Sequence, residues 1–402
     1  MLGSLLVMHG NPERGEAFSE KSLTIHQKLG SAGWQGIAHA LWNLAQGSAH
    51  RENIDQAQEL SEQGLALYRQ LNDKFGIAQC LDNLGSHRLM KGDYQQAKMI
   101  WEEDLALRNE LGDKDGIAWT LTCLGELAFW QGDLEQASTL FAESQNVFRE
   151  VGNQWAVSMT ISGMGSIVLA QGNFEQAAKL YEEALAFGRD MGDLNAIASR
   201  RYDLARVAWS KGDYDMAAKF YDETLRFIRR EMNNRGAIAG TLYELGEVAW
   251  AQGNLELATK QYEESLALGR EIGAQFAVAV ALNGLGKVAR SRGEYDKAQA
   301  LHKQALTILQ GTGNRWSTAY VLEAFTTLAF LRQDMECAIK LYGAAESFYT
   351  QFRFLMSPLE RDNHEQNLEA ARKAVDEETF GTWWSEGCAM TMQQAVEYAL
   401  SE

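Results

Sequence analysis

Residues 76–111 read GIAQCLDNLGSHRLMKGDYQQAKMIWEEDLALRNEL, and this stretch decides the fold. Ile77, Ala78, Leu81, Leu84, Gly85 and Leu89 recur at helical spacing and give one apolar face. Gly92-Asp93 then closes that helix and opens the next. A glycine suits the left-handed position after a helix, and an aspartate can cap the following N-terminus. In the second helix Ala97, Trp101 and Leu105 share a face, and Leu111-Gly112-Asp113 turns the chain into the next unit.

The same turn returns as Gly132-Asp133, Gly172-Asn173, Gly212-Asp213, Gly253-Asn254 and Gly293-Glu294, at intervals of 40, 40, 40, 41 and 40 residues. So regular a period predicts a stacked repeat in which each unit buries its face on its neighbours. Eight residues before each turn stands a Leu-Gly or similar pair: Leu84-Gly85, Leu124-Gly125, Met164-Gly165, Leu204-Ala205, Leu245-Gly246 and Leu285-Gly286. The small residue is expected to let two helices approach. Twelve residues later comes Ala97, Ala137, Ala177, Ala217, Ala258 or Ala298, and four further on Trp101, Phe141, Tyr181, Tyr221, Tyr262 or His302, a large group to fill the space between adjacent hairpins. His302 departs from the aromatic pattern, and Arg201 replaces an apolar residue inside a first helix. Looser packing is expected in those two units.

Composition agrees. The 402 residues hold two prolines, Pro12 and Pro358, near the two ends, so everything between can be helix and short turn. The formal net charge of −17 repels a phosphate backbone and argues against nucleic-acid binding. No apolar run is long enough to cross a membrane. Cys80, Cys123, Cys337 and Cys388 lie far apart with no CxxC pairing, as expected of reduced thiols in a cytoplasmic protein. There is no phosphate-binding GxxxxGK[ST] loop, HExxH or GxSxG. The seven histidines are scattered, and the Glu pairs such as Glu102-Glu103 fall on second helices as a solvated face. No catalytic residue, metal site or cofactor is expected, and the chain does not read as an enzyme.

The small–small–aromatic order resembles the tetratricopeptide repeat, here in an extended form of about 40 residues, over residues 1–342. That resemblance implies an all-α, right-handed α-solenoid of antiparallel helix hairpins with a C-terminal helical cap. About eight units are expected in 1–342, the first truncated, and capping helices in 343–402. Leu2-Gly3 lies eight residues before Gly10-Asn11, so the chain opens inside a first helix; this reads as a piece of a longer protein or a misplaced start. The exposed apolar end would allow two copies to pair through the uncapped N-terminal hairpin. In the tail, Pro358 can begin a helix running to about Val375, and Thr391 with Gln394 makes a capping box for a last one. Its LYGAAE, SPLER and WWSEGCAMTMQQAVEYAL segments are similar to the C-terminus of large bacterial signalling ATPases, which pair a nucleotide-switched module with a tetratricopeptide sensor.

The resemblance also implies a ligand groove, concave and lined by first helices, for a protein or peptide. By register its positions are Trp42, Gln46, Asp82, Ser86, Trp119, Thr122, Glu126, Phe129, Ser162, Ser166, Tyr202, Arg206, Trp209, Tyr243, Glu247, Trp250, Asn283, Lys287, Arg290, Tyr320 and Glu323. Trp119, Phe129, Tyr202, Trp209, Tyr243 and Trp250 are rings able to anchor a ligand. Equally, Phe129, Trp209 and Trp250 sit at helix ends where they could pack within the solenoid. Arg200, Arg201, Arg206, Lys287 and Arg290 suit acidic groups on an extended peptide, or pair with the abundant glutamates. Three functions stand open: a sensor attached to a signalling ATPase, a freestanding adaptor, and a receptor for a signalling peptide.

Overall fold

A computed structural model describes residues 12–50, 53–310, 315–352 and 356–401. The turn expected at Gly10-Asn11 and the apolar N-terminal end proposed for self-pairing fall outside the described residues. Among those described the regular structure is all helical. Helices α1 (Pro12–Gln27), α2 (Trp34–His50), α3 (Ile54–Gln70), α4 (Lys74–Met90), α5 (Tyr94–Leu111), α6 (Lys114–Trp130) and α7 (Leu134–Val151) come first. Then follow α8 (Gln154–Ala170), α9 (Phe174–Met191), α10 (Leu194–Lys211), α11 (Tyr214–Phe227), α12 (Arg235–Ala251) and α13 (Leu255–Ile272). The chain continues with α14 (Gln275–Ser291), α15 (Tyr295–Leu309), α16 (Arg315–Leu331) and α17 (Met335–Phe352), and ends with α18 (Pro358–Ala374), α19 (Glu377–Cys388) and α20 (Met392–Ser401). From α2 to α17 the even helices are the first, and the odd ones the second, of each repeat. The protein is an α-solenoid of consecutively packed hairpins. It divides into two compact blocks, one ending at Thr160 and the other running from Ile161 to Glu402.

The hairpin turn works as its residues dictate. Gly132 sits at φ 82°, a conformation costly for any residue with a Cβ, and Asp133 then accepts the backbone N–H of Gln136 at 3.0 Å. The device recurs at Asp93, Asn173, Asp213 and Asn254; Glu294 makes no such side-chain cap. The one interval of 41 has a local cause. Second helix α11 is followed by a single π turn, Ile228–Met232, that takes up the extra residue before Asn233 resumes the left-handed turn at φ 48°. An insertion absorbed as a π bulge leaves the hairpin register intact.

Trp101, Phe141, Tyr181, Tyr221, Tyr262 and His302 are all buried. The small residue sixteen positions before each is what makes room for it. A Cβ on Gly246 would lie 2.6 Å from the Tyr262 ring, and one on Gly284, in the next first helix, 2.4 Å from it. The paired glycines thus serve ring against helix more than helix against helix. The buried face of α5 also differs from expectation. It consists of Ala97, Trp101, Asp104 and Arg108, with Leu105 only half-buried.

The positions expected to pack loosely are filled. Arg201 places its guanidinium 4.7 Å over the Phe227 ring. His302 is fully buried beside Phe325, and neither ring nitrogen has a partner. Burial first, then the Arg290 and Lys287 charges, push its pKa down to about 3, so the ring serves as a neutral spacer.

Helix α17 runs unbroken through position 342, so the division expected at 342–343 lies within a helix. Ala395, Val396 and Ala399 of α20 join Leu306, Val321, Phe325 and Leu341 in one core, and Phe380 of α19 packs with Ile339 and Ala371. Thr391 and Gln394 form reciprocal bonds of 2.8 and 3.2 Å at the start of α20. Helix α18 does something else.

Candidate functional site

In the N-terminal block the candidate residues lie on α2, α4 and α6. Trp119 is half-buried and stacks on the exposed Trp155, with ring centres 6.0 Å apart and planes within 17°. Phe129 meets Trp130 edge-on at 5.5 Å. Beneath them lies an acidic pair from neighbouring first helices. Burial, then the nearby Asp104, raises Asp82 to about 6, against the pull of Arg108 and of hydrogen bonds from Cys123 and Trp119. Glu126 is crowded by protein on most sides, and that burial, with Asp82, raises it to about 7; its tip still reaches water, which screens part of the effect. A separate buried network ties α5 to α6. Arg108 holds Asp104 through Nε at 2.8 and 3.0 Å and Asp113 through Nη1 at 2.9 Å, and the Thr120 hydroxyl donates to Asp104 at 2.6 Å.

The C-terminal block gathers more. Arg206 and Arg200 flank Asp203, at 3.8 and 3.2 Å. The Tyr202 hydroxyl donates to Glu244, and Tyr221 reaches the other Glu244 oxygen at 3.5 Å. At the centre stands Glu247. It accepts from Tyr262 at 2.6 Å, from Lys287 at 2.5 Å and from Tyr320 at 2.7 Å. The Lys287 ammonium also lies 3.9 Å over the Trp250 ring, whose indole N–H donates to Ser291 at 3.0 Å. Tyr243 rests 5.9 Å from Tyr262.

A further member of this cluster comes from the tail. Ser357 and Glu360 form a capping box at the start of α18, and that box uses only one oxygen of Glu360. The other oxygen accepts Lys287 at 3.1 Å and shares the single proton of the Tyr320 hydroxyl with Glu247. Burial alone would raise the Glu360 pKa, but Lys287, Tyr320 and the Ser357 backbone hold it below its usual value. Further along α18, His364 Nδ1 lies 3.0 Å from Glu323, and at its first residue Pro358 abuts Gly212. The first turn of α18 therefore lies against first helices of its own block.

Burial corrects part of the expected lining. Trp209, Glu247, Asn283 and Lys287 were expected to face a ligand; they are buried, Asn283 completely, with neither end of its amide bonded. Trp119, Phe129, Tyr202, Arg206, Tyr243, Trp250 and Arg290 remain partly accessible, and Glu126 is exposed. Sequence reasoning missed Glu244 and Glu360. The Ser357–Glu360 spacing marks a capping box and could have flagged the helix start; nothing in it announces that the spare oxygen meets Lys287.

Glu244 has a measurable signature. Burial chiefly, and Glu247, raise it from 4.5 to about 7 despite the Tyr202 bond and Arg206. A carboxyl whose folded pKa is raised favours folding below its unfolded value, and that contribution is lost as pH rises from about 4.5 through 7. Glu244→Gln keeps the Tyr202 bond and removes the ionisation. It is expected to be more stable than the wild type by about 2 kcal/mol at pH 8, with little difference at pH 4. Urea unfolding at the two pH values checks this, and an equal difference at both would refute the assignment.

Among the described residues no helix is long and apolar enough to cross a membrane. Residues 36–232 match the family described as the MalT-like TPR region, and residues 237–311 match the tetratricopeptide repeat. No curated protein matches the sequence. Among solved structures, the Rap conjugation gene regulator of the plasmid pLS20, in complex with the Phr* peptide, is 14% identical, with 90% of this chain and 98% of that one covered and a TM-score of 0.55. A Rap protein complexed with competence and sporulation factor is 14% identical, with 87% and 99% covered and a TM-score of 0.51. A signal transduction ATPase with a tetratricopeptide repeat sensor, from Pyrococcus horikoshii, is 14% identical, with 86% of this chain and 54% of that one covered and a TM-score of 0.49. At these identities the likenesses speak to fold alone. The two family matches nearly meet and together span well over half of the sequence, on the same positions that carry the repeat. The chain belongs to the tetratricopeptide-repeat family.

Proposed function

We propose that this solenoid binds a protein segment or peptide on the face made by its first helices, and that it is the ligand-sensing part of a larger signalling ATPase. The observation that supports binding is α18. Its first turn lies on that face and places a carboxylate on Lys287 and Tyr320. A surface that takes up one polypeptide segment through a buried charge and aromatic rings has the chemistry to take up another. Partly open rings at Tyr202, Tyr243 and Trp250 supply anchors. The ATPase connection rests on the tail segments. In such a protein, ligand binding would shift the balance between closed and open ATPase states in proportion to its preference for one of them.

A second reading is a freestanding peptide receptor. The two Rap proteins of similar fold were solved with the Phr* peptide and with competence and sporulation factor, and the first of these favours a peptide as the ligand class. Affinity capture from the source cell tests both. Wild type is compared with a Tyr202→Ala, Tyr243→Ala, Trp250→Ala variant of equal helicity by circular dichroism. A partner lost only in the variant is the expected result. A partner set unchanged by the variant would overturn the use of this face. A phosphate-loop ATPase encoded in one reading frame with the chain favours the sensor; a stop codon directly upstream of Met1 removes that reading and leaves the receptor.

A further inference from the structure

Beyond the peptide-binding reading, the C-terminal block holds a pocket of about 310 Å³ whose chemistry is unspent. Trp250, Arg290, Tyr320 and Glu323, from first helices α12, α14 and α16, form its floor, and Asn363 and Asn367 of α18 form its roof. Its volume lies at the lower end of small-molecule sites, and the roof is itself helix.

The charged groups in it are not equally engaged. Lys287 is shared between Glu247 and Glu360. Glu323 gives one oxygen to His364, while its other oxygen is buried without a hydrogen-bond partner. The Arg290 guanidinium makes no hydrogen bond and no ion pair among the described residues, although it lines the pocket and is largely buried. Burial pulls its pKa below the usual guanidinium value even with Glu323 nearby, yet a guanidinium keeps its charge in proteins. A planar cation with five donors, held in a partly dry pocket and hydrogen-bonded to no acceptor there, is an arrangement that a bidentate carboxylate would satisfy. The unfilled Glu323 oxygen is an acceptor for an N–H or O–H on the same ligand, and Trp250 and Tyr320 offer ring surface to its apolar part.

We propose that this pocket binds a small organic carboxylate that also carries an N–H or O–H donor, with the carboxylate on Arg290 and the apolar part against Trp250. Such a group could belong to a free acid or to the C-terminal end of a peptide.

The probes are N-acetyl-L-phenylalanine, N-acetyl-L-phenylalaninamide, and an alanine pentapeptide ending in phenylalanine with a free carboxylate. Each is titrated into the full chain and followed by ligand-observed NMR at millimolar concentration. The acid is expected to bind, and the amide to bind at least about tenfold more weakly, since it lacks the charged pair. Arg290→Met is expected to lose about tenfold or more for the acid and to leave the affinity for the amide unchanged. Arg290→Lys, which keeps charge without the fork, should fall between the two. Melting temperatures show whether each variant is folded, and an unfolded Arg290→Met leaves Arg290→Lys and the acid–amide pair to decide. Tighter binding of the pentapeptide than of the acid supports the pocket with a chain terminus as source; weaker binding supports it with a free acid. Equal binding of acid and amide, no binding of any probe, or full acid affinity in Arg290→Met overturns the proposal. The wild-type partner set of the capture experiment is read separately, so this pocket can fail while peptide binding stands.

Discussion

Lys287→Met is expected to destabilise the C-terminal block by about 3–5 kcal/mol, because it strands two buried carboxylates. Lys287 is 4% exposed, and its ammonium is the shared partner of Glu247 at 2.5 Å and Glu360 at 3.1 Å. Methionine keeps the apolar stem but removes the ammonium, and with it the cation over the Trp250 ring and the charge that permits both acids to ionise there. The remaining donors to Glu247, the Tyr262 and Tyr320 hydroxyls, are neutral and cannot compensate. The loss should therefore shrink at low pH, where protonation relieves the pair. Adding Glu247→Gln and Glu360→Gln should recover most of it, since a buried polar cluster without charge costs far less than one with charge unpaired. Urea unfolding of the single and triple variants measures both effects. A single variant within about 1 kcal/mol of wild type would show that this cluster is not what holds α18 to the first helices.

Tyr262→Ala is expected to cost about 3–5 kcal/mol, the range for deleting a fully buried ring. The ring is 0% exposed and wedged between Gly246 and Gly284. Neither glycine has a side chain that can swing into the vacated space, and both are held in helices, so the cavity cannot collapse. Tyr262→Phe separates packing from polarity. It removes only the 2.6 Å bond to Glu247 and is expected to cost about 1–2 kcal/mol. If alanine and phenylalanine cost the same by urea unfolding, the ring is there for its hydroxyl alone. The repeated spacing from small residue to aromatic would then need another explanation.

The repeat was legible because it rests on local rules. A glycine in a left-handed turn, an aspartate or asparagine accepting a backbone N–H, and small residues spaced along a helix each leave a mark at a fixed offset. A two-helix unit repeated many times shows such marks many times. The aromatic positions were legible for the same reason, although the small residues turned out to seat rings. Exposure was harder to read. Register places Glu247, Asn283 and Lys287 on the first-helix face, but register does not say what lies over that face. Glu244 escaped notice because it stands one position beyond Tyr243, and only the packing of α10 beside α12 brings Tyr202 to it.

The sequence by itself determined the helical hairpins, their turns, the family, and the tail's helix starts at Pro358 and Thr391, because those follow from interactions within a few residues of one another. Only the tertiary structure decided that α18 lies against the first helices, that Glu360 divides its oxygens between its own cap and Lys287, and that the Arg290 guanidinium is hydrogen-bonded to no acceptor among the described residues. Such pairings join residues as far as 73 positions apart. They are fixed by the need to satisfy buried charge, a balance that only the folded arrangement of the whole block can strike.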